Sequence, residues 1–333
     1  MTLMTREDNE PRVTVIIAVK NEERTIAKVL ESALNLDYPD YEIILVDGGS
    51  SDRTVSIAEQ RQVKIISAKD LSAGQGRNVG IEHASGEIIS FLDGDCYPRK
   101  DYLKNAVQLL EQDAIGGVGG PVTSYSQAEY MPRTLLDVLS TFFANAGSTI
   151  FSKDRRRGEV KNIGGIGVYR KEAIEKAGLY SERLRFCEDV DLNYRIKAAG
   201  FRILYSPDIV VEHDWKVRSF RSLFRHMLNY GKGRAIAGRK HRYLFSPVYA
   251  IPSIALLSLL ALLMMSALFG GIFLFAVVLS LSAYFILALL SALLVAFHFK
   301  DAKMIVIAPV AYAMTHAVYA IGFLQGLIGR GFG

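Results

Sequence analysis

The sequence predicts an α/β domain with a mostly parallel sheet and helices on both faces, followed by C-terminal transmembrane helices. Three observations carry this. Short apolar runs rich in β-branched residues alternate with helical patterns through the first half. Polar clusters recur directly after those runs. Charge then nearly vanishes from about residue 247 onward.

The elements follow in order. Residues 12–19 (RVTVIIAV) are a short buried strand of the kind a parallel sheet needs, and Ile26, Val29, Leu30, Ala33 and Leu34 then share one helical face. Residues 41–46 are the second strand, and Ser51-Asp52 open a helix that either can cap. Residues 63–67 and 87–92 are the third and fourth strands, with a helix over 76–84 between them. The second half is less regular. A Gly-rich strand covers 116–122, helices cover 135–144 and 188–199, and another ends at Gly178. Residues 153–159 read as an exposed loop, and 201–205 and 209–211 as strands.

The predicted division is an N-terminal tail at 1–11, a catalytic domain at 12–215, a basic segment at 216–245 and a membrane domain at 246–333. Apolar spans at 248–269, 272–297 and 305–328 each reach the roughly 20 residues that cross a bilayer. The alternative is two spans with one apolar segment re-entrant. Nine Lys or Arg and no Asp or Glu lie between Lys216 and Arg242. Such a stretch ahead of an apolar tail fits anionic lipid head groups rather than nucleic acid. Val217, Phe220, Phe224, Met227 and Leu228 share a helical face there, as in a helix lying on a membrane or one packed on the protein. With Lys300 and Lys303 between the second and third spans, the charge bias puts the domain on the cytoplasmic side of the cell membrane and the C-terminus outside. Two cysteines, Cys96 and Cys187, are too few for a disulfide framework, and no signal peptide is evident.

Ligands of open α/β sheets bind beyond the carboxyl ends of the strands. Four polar clusters fall there: Lys20-Asn21-Glu22, Asp47 through Asp52, Gly74 through Asn78, and Asp93-Gly94-Asp95. The last delivers two carboxylates from an apolar strand, a costly concentration of charge unless a cation such as Mg²⁺ or Mn²⁺ arrives. Asp-Gly-Asp is also an ordinary turn. Asp47 is placed to accept the ring N–H of a uracil-type base, or to close a turn. Arg77 and Asn78 open a helix after glycines, a setting that favours phosphate. Glu188, Asp189 and Asp191 crowd one helix start, where one acid is favoured but three repel unless some face a ligand. His213 follows an apolar run as a metal ligand, a phosphate donor or a structural histidine.

In this order the pieces resemble the family 2 glycosyltransferases, which have the Rossmann-like GT-A fold. The resemblance rests on 15–22 (VIIAVKNE), 46–54 (VDGGSSDRT), 76–86 (GRNVGIEHASG), 91–95 (FLDGD), 164–167 (GGIG), 188–195 (EDVDLNYR) and His213, and covers about 12–215. It implies a nucleotide-diphosphate-sugar donor, a UDP-sugar by the Asp47 reading, with Mg²⁺ or Mn²⁺ and inversion at the anomeric carbon. Carried over, it puts Ala18, Lys20, Glu22, Asp47, Arg77 and Asp93 on the donor and Asp95 and His213 on the metal. Gly164, Gly165 and Glu188 fall to the acceptor, and Asp189 to the catalytic base. Ala18 and Lys20 stand where the family often has Pro and Tyr, which leaves base stacking open and offers Lys20 to phosphate.

The Gln-x-x-Arg-Trp signature of processive synthases is absent after His213, which favours single-sugar addition, here to a hydroxyl of a lipid-linked glycan. The alternatives are a polyprenyl-phosphate sugar synthase, whose acceptor is the lipid phosphate, and a non-catalytic scaffold. A transporter needs ionisable residues in its spans, and only His298 and His316 qualify.

Overall fold

A computed structural model describes residues 10–145, 156–182, 184 and 186–329. Two compact units emerge, one of 1–126 with 149–214 and one of 127–148 with 215–333. The expected catalytic segment is therefore interrupted. Residues 127–148, placed in it by sequence, pack in the second unit.

The first unit is a mixed eight-stranded sheet. Strands β1 (Val13–Val19), β2 (Tyr41–Asp47), β3 (Lys64–Ser67) and β4 (Ile88–Asp93) form its parallel half. Next to β4 lies β9 (Val168–Arg170), antiparallel to both β4 and β6 (Ile115–Gly119). Strand β10 (Arg202–Tyr205) is parallel to β6, and β8 (Gly158–Glu159) closes the edge antiparallel. The two antiparallel strands were not expected: the part of 153–159 that is described ends in β8, not in loop.

The apolar runs work on both faces, as a central strand requires. Val13, Val15, Ile17 and Val19 pack with Ile26, Val29 and Leu30 of α1 (Ile26–Leu34) and Leu103, Ala106 and Leu110 of α4 (Tyr102–Leu110). Ile16 turns the other way, with Ile81 of α3 (Ala73–Glu82), Ile174 of α7 (Lys171–Ala177) and Leu192 and Ile196 of α8 (Glu188–Ala198). Helix α3 starts earlier than its apolar pattern does, because Ser72 and Gln75 form a reciprocal capping box. Helix α2 (Thr54–Ala58) is short, and Asp52 accepts the Thr54 N–H at 3.0 Å ahead of it. A second sheet joins β5 (Cys96–Pro98), β11 (Val211–His213) and β7 (Val122–Ser124).

The second unit contains α5 (Tyr130–Leu139), α6 (Phe142–Asn145), α9 (Phe220–Lys240), α10 (Ile251–Phe269), α11 (Gly271–Phe299) and α12 (Met304–Ile328). Three stretches are long and apolar enough to cross a membrane: Pro247–Phe269, Gly271–Phe299 and Met304–Ile328. Helix α9 buries Leu223 and Met227, whereas the expected face member Phe224 is exposed. The cause is glycine. A Cβ on Gly231 would sit 2.2 Å from the Tyr319 carbonyl oxygen, and one on Gly322 would sit 2.1 Å from that of Leu228. The α9 and α12 backbones thus touch, and the inward line follows Leu223, Met227, Gly231 and Ala235.

Glycine also decides one turn of the first unit. A Cβ on Gly120 would lie 2.1 Å from the Ile209 carbonyl oxygen, whereas one on Gly158 meets nothing within 4 Å. Gly120→Ala is expected to cost roughly 1–3 kcal/mol in a denaturant melt, and Gly158→Ala to be neutral within error.

Candidate active site

The carboxyl ends of β1, β2 and β4 lie side by side, with Ala18 opposite both Val46 and Asp93 in register. The loops that leave them are stitched together. Asn21 donates its N–H to Ser50 Oγ at 2.8 Å and accepts the Ser51 N–H at 2.8 Å. The Glu22 N–H reaches Thr54 Oγ1 at 2.7 Å. Glu22 itself is buried beside the Asp-Gly-Asp turn: a Cβ on Gly94 would be 2.7 Å from its Cγ. Thr25 Oγ1 donates to the Gly94 carbonyl at 2.6 Å. Asp47 is buried and accepts the N–H groups of Gly49 and Ser50 at 3.2 and 3.1 Å, so it does close a turn. Lys20 is half-exposed, 3.5 Å from Asp70. The Ala18 Cβ lies 3.4 Å from where one on Gly76 would stand.

Arg77 is the centre of this edge. It is only 4% exposed, and its two terminal nitrogens go to Asp93 at 2.8 Å and Glu188 at 3.2 Å. Its guanidinium carbon lies 5.3 Å from the Tyr180 ring centroid. That ring is held by Asn78, which exchanges two hydrogen bonds of 3.0 and 2.9 Å with the Tyr180 backbone. Gly165 leaves the room: a Cβ there would be 3.1 Å from the guanidinium. Gly164 has φ +77° and donates to Asn162 Oδ1 at 3.1 Å. Arg77, expected as a phosphate contact, joins the end of β4 to the start of α8.

At that start, two of the three acids are neutralised. Glu188 meets Arg77, and Asp191 meets Arg195 at 2.6 Å. Asp189 lies between them, half-buried, and has no ion-pair partner among the described residues. Burial first, and the Asp189 charge second, push the Glu188 carboxyl up to about 7, with Arg77 opposing.

Asp95 and His213 come together as expected, with His213 Nε2 3.3 Å from Asp95 Oδ1. Strand pairing sets this, since His213 lies opposite Cys96 in register. Cys96, given no role by sequence, is the third member: its thiol donates to Asp95 Oδ1 at 3.7 Å. The ligand atoms of the three residues lie within 4.8 Å of one another. Burial holds the Cys96 thiol well above its usual range. A buried carboxylate with an imidazole suits a divalent ion such as Mg²⁺ or Mn²⁺.

The raised Glu188 carboxyl has a measurable consequence. Its folded-state value of about 7 exceeds the ordinary 4.5, so the folded chain keeps a proton that the unfolded chain has released between those values. Stability should therefore fall as pH rises from about 4.5 through 7, by up to about 3 kcal/mol. Denaturant melts across that window should show the slope in the wild type and a flatter one in Glu188→Gln. Arg77→Met, which strands two carboxylates, should cost about 3–5 kcal/mol in the same assay.

Comparison with known proteins agrees with this geometry. The description of glycosyl transferase family 2 matches residues 14–178. A dolichyl N-acetyl-alpha-D-glucosaminyl phosphate 3-beta-D-2,3-diacetamido-2,3-dideoxy-beta-D-glucuronosyltransferase of Methanococcus voltae is 24% identical over 331 residues, covering 95% of this chain and 97% of that one. Glycosyltransferase AglE of Haloferax volcanii is 29% identical over 250 residues, 72% of this chain and 79% of that one. Among solved structures, a mannosyltransferase of Pyrobaculum calidifontis in complex with GDP-Man and Mn²⁺ superposes with a TM-score of 0.59 at 21% identity, over 97% of this chain and 88% of that one. The sheet is thus the GT-A fold, and residues 14–178 carry a glycosyl transferase family 2 domain, with three apolar helices toward the C-terminal end among the described residues.

Proposed function

We propose that this glycosyltransferase moves one sugar from a nucleotide-diphosphate-sugar to a hydroxyl of a lipid-linked acceptor, with inversion. The observation that carries this is Asp189. Of three acids in the first turn of α8, it alone among the described residues has no cation against it, while Arg77 and Arg195 neutralise its neighbours. A carboxylate at a site edge with no ion-pair partner among the described residues is equipped to accept a proton. Asp189 takes the proton of the acceptor hydroxyl as that oxygen bonds to the anomeric carbon. The bond from that carbon to the diphosphate oxygen breaks on the opposite side. Glu188 and the backbone of Gly164 and Gly165 position the acceptor.

Glu22, Asp47, Asp93 and Lys20 hold the nucleotide, and Asp47, its carboxylate already fixed by two N–H groups, presents a lone pair to the base. Asp95 and His213 would hold a divalent ion, whose charge offsets that of the diphosphate. The lipid-linked acceptor is supported by the Methanococcus voltae relative, whose name specifies a dolichyl phosphate glycan. The apolar helices anchor the chain, and Lys300, Lys303 and the cations between Lys216 and Arg242 place its soluble domain on the cytoplasmic side.

Asp189→Asn separates the two acceptor chemistries. Transfer to a glycan hydroxyl should fall about 10²–10⁴-fold while nucleotide-sugar affinity stays within a few-fold. Full activity of that variant on a polyprenyl phosphate, which needs no base, would replace this reading with a lipid-phosphate acceptor. Calorimetry gives a second test. Asp95→Asn should remove the dependence of nucleotide-sugar binding on Mn²⁺ and leave the fold intact.

A further inference from the structure

The three apolar helices differ in what covers them. In α10 and α11, 6% and 11% of the most apolar stretch is buried, whereas in α12 it is 44%. Helix α12 exposes one main stripe, Val306, Val310, Ala313, Ala317, Ile321, Gln325 and Ile328, with Leu327 exposed beside it. Its other side packs against α5, α6 and α9, which carry polar or charged groups, and also against α11 and α10, where Ser291 Oγ meets Tyr312 Oη at 2.9 Å, Tyr284 Oη meets His316 Nδ1 at 2.9 Å and Ser253 Oγ donates to the Ala320 carbonyl at 3.3 Å. Near its start, Tyr130 Oη donates to Asp301 at 2.8 Å and Lys303 lies 5.3 Å over the Tyr130 ring. Midway, Thr141 Oγ1 donates to Tyr312 Oη at 3.1 Å, and His316 Nε2 meets the Phe143 carbonyl at 2.9 Å. Further on, the backbone of α9 lies against Gly322 and Gly326. At the end, Arg239 donates to the carbonyls of Leu327 and Gly329 at 2.7 and 2.6 Å.

We propose that α12 does not cross the bilayer but lies with α9 against the lipid surface, on the side of the catalytic domain, so that only α10 and α11 span. This rests on the reading that the apolar helices anchor the chain. Contacts between α9 and α12 are backbone to backbone, so a spanning α12 would draw α9 into the hydrocarbon. Helix α9 carries Arg225, Lys232, Arg234 and Arg239 along that contact, with no acid between Lys216 and Arg242. Cations are costly inside the hydrocarbon and favoured near an anionic lipid surface, so surface docking suits this helix pair. There the open stripe of α12 meets the acyl boundary and the α9 cations meet lipid phosphates.

Lengths agree. Helix α11 has 29 residues against 19 in α10, so about ten of its residues project past a core about 30 Å thick. Its buried residues Ala292, Val295 and Ala296 fall in that last part and join the core with α5 and α12. Residues 127–145, which carry α5 and α6, pack with α12 inside the second unit.

The test uses the full chain in sealed vesicles, with an epitope tag at each end and an impermeant antibody. After a carbonate wash retains the protein, both tags should be accessible from the same side. Tags on opposite sides of the membrane would overturn the surface placement of α12. Release of the whole chain by carbonate would instead overturn the anchoring on which it rests.

Discussion

One buried cation organises the active site. Arg77 is nearly inaccessible, lies beside the Tyr180 ring, and grips Asp93 from β4 with one nitrogen and Glu188 from α8 with another. Taking a guanidinium out of water is costly, and two carboxylates at hydrogen-bond distance offset that cost only while both stay in place. The same contact ties the end of β4 to the start of α8. It leaves Asp189 uncovered one residue from the bridge. Gly165 and the Asn78–Tyr180 clasp meet the same demand, since one clears and the other walls the volume that Arg77 fills.

This arrangement gives acids of one site different tasks. Asp191 is consumed by Arg195, and Glu188 by Arg77 together with its own raised carboxyl. Asp95 is aimed at His213 by the pairing of β5 with β11. Similar residue types thus differ in their surroundings according to which side chain reaches each: Arg195 for Asp191, Arg77 for Glu188 and His213 for Asp95.

Much of this was legible in the order of residues. The runs at β1, β2 and β4 are long, β-branched and buried on both faces, so they read as central parallel strands. Strands β8 and β9 did not, because two or three residues carry no period and their antiparallel pairing is set by distant partners. Helix α5 reads as an amphipathic helix whichever unit buries it, so its membership of the second unit was invisible. The acid pair at Asp93 and Asp95 and the acids of α8 stood out by charge density alone. Cys96 did not, because only the pairing of β11 with β5 brings His213 across from it. For Arg77 the local glycines pointed to phosphate, whereas its partners lie 16 and 111 residues away.

The central claim is that these strand ends form one glycosyl-transfer site. Its most direct test is a screen of nucleotide-sugars on the purified protein in lipid, with a lipid-linked glycan acceptor, reading released nucleoside diphosphate and the mass of the lipid product. The account predicts that one donor releases its nucleoside diphosphate in step with a product heavier by a single sugar, and only with Mg²⁺ or Mn²⁺ present. Product growing by many sugars, or no release with any donor, would contradict it.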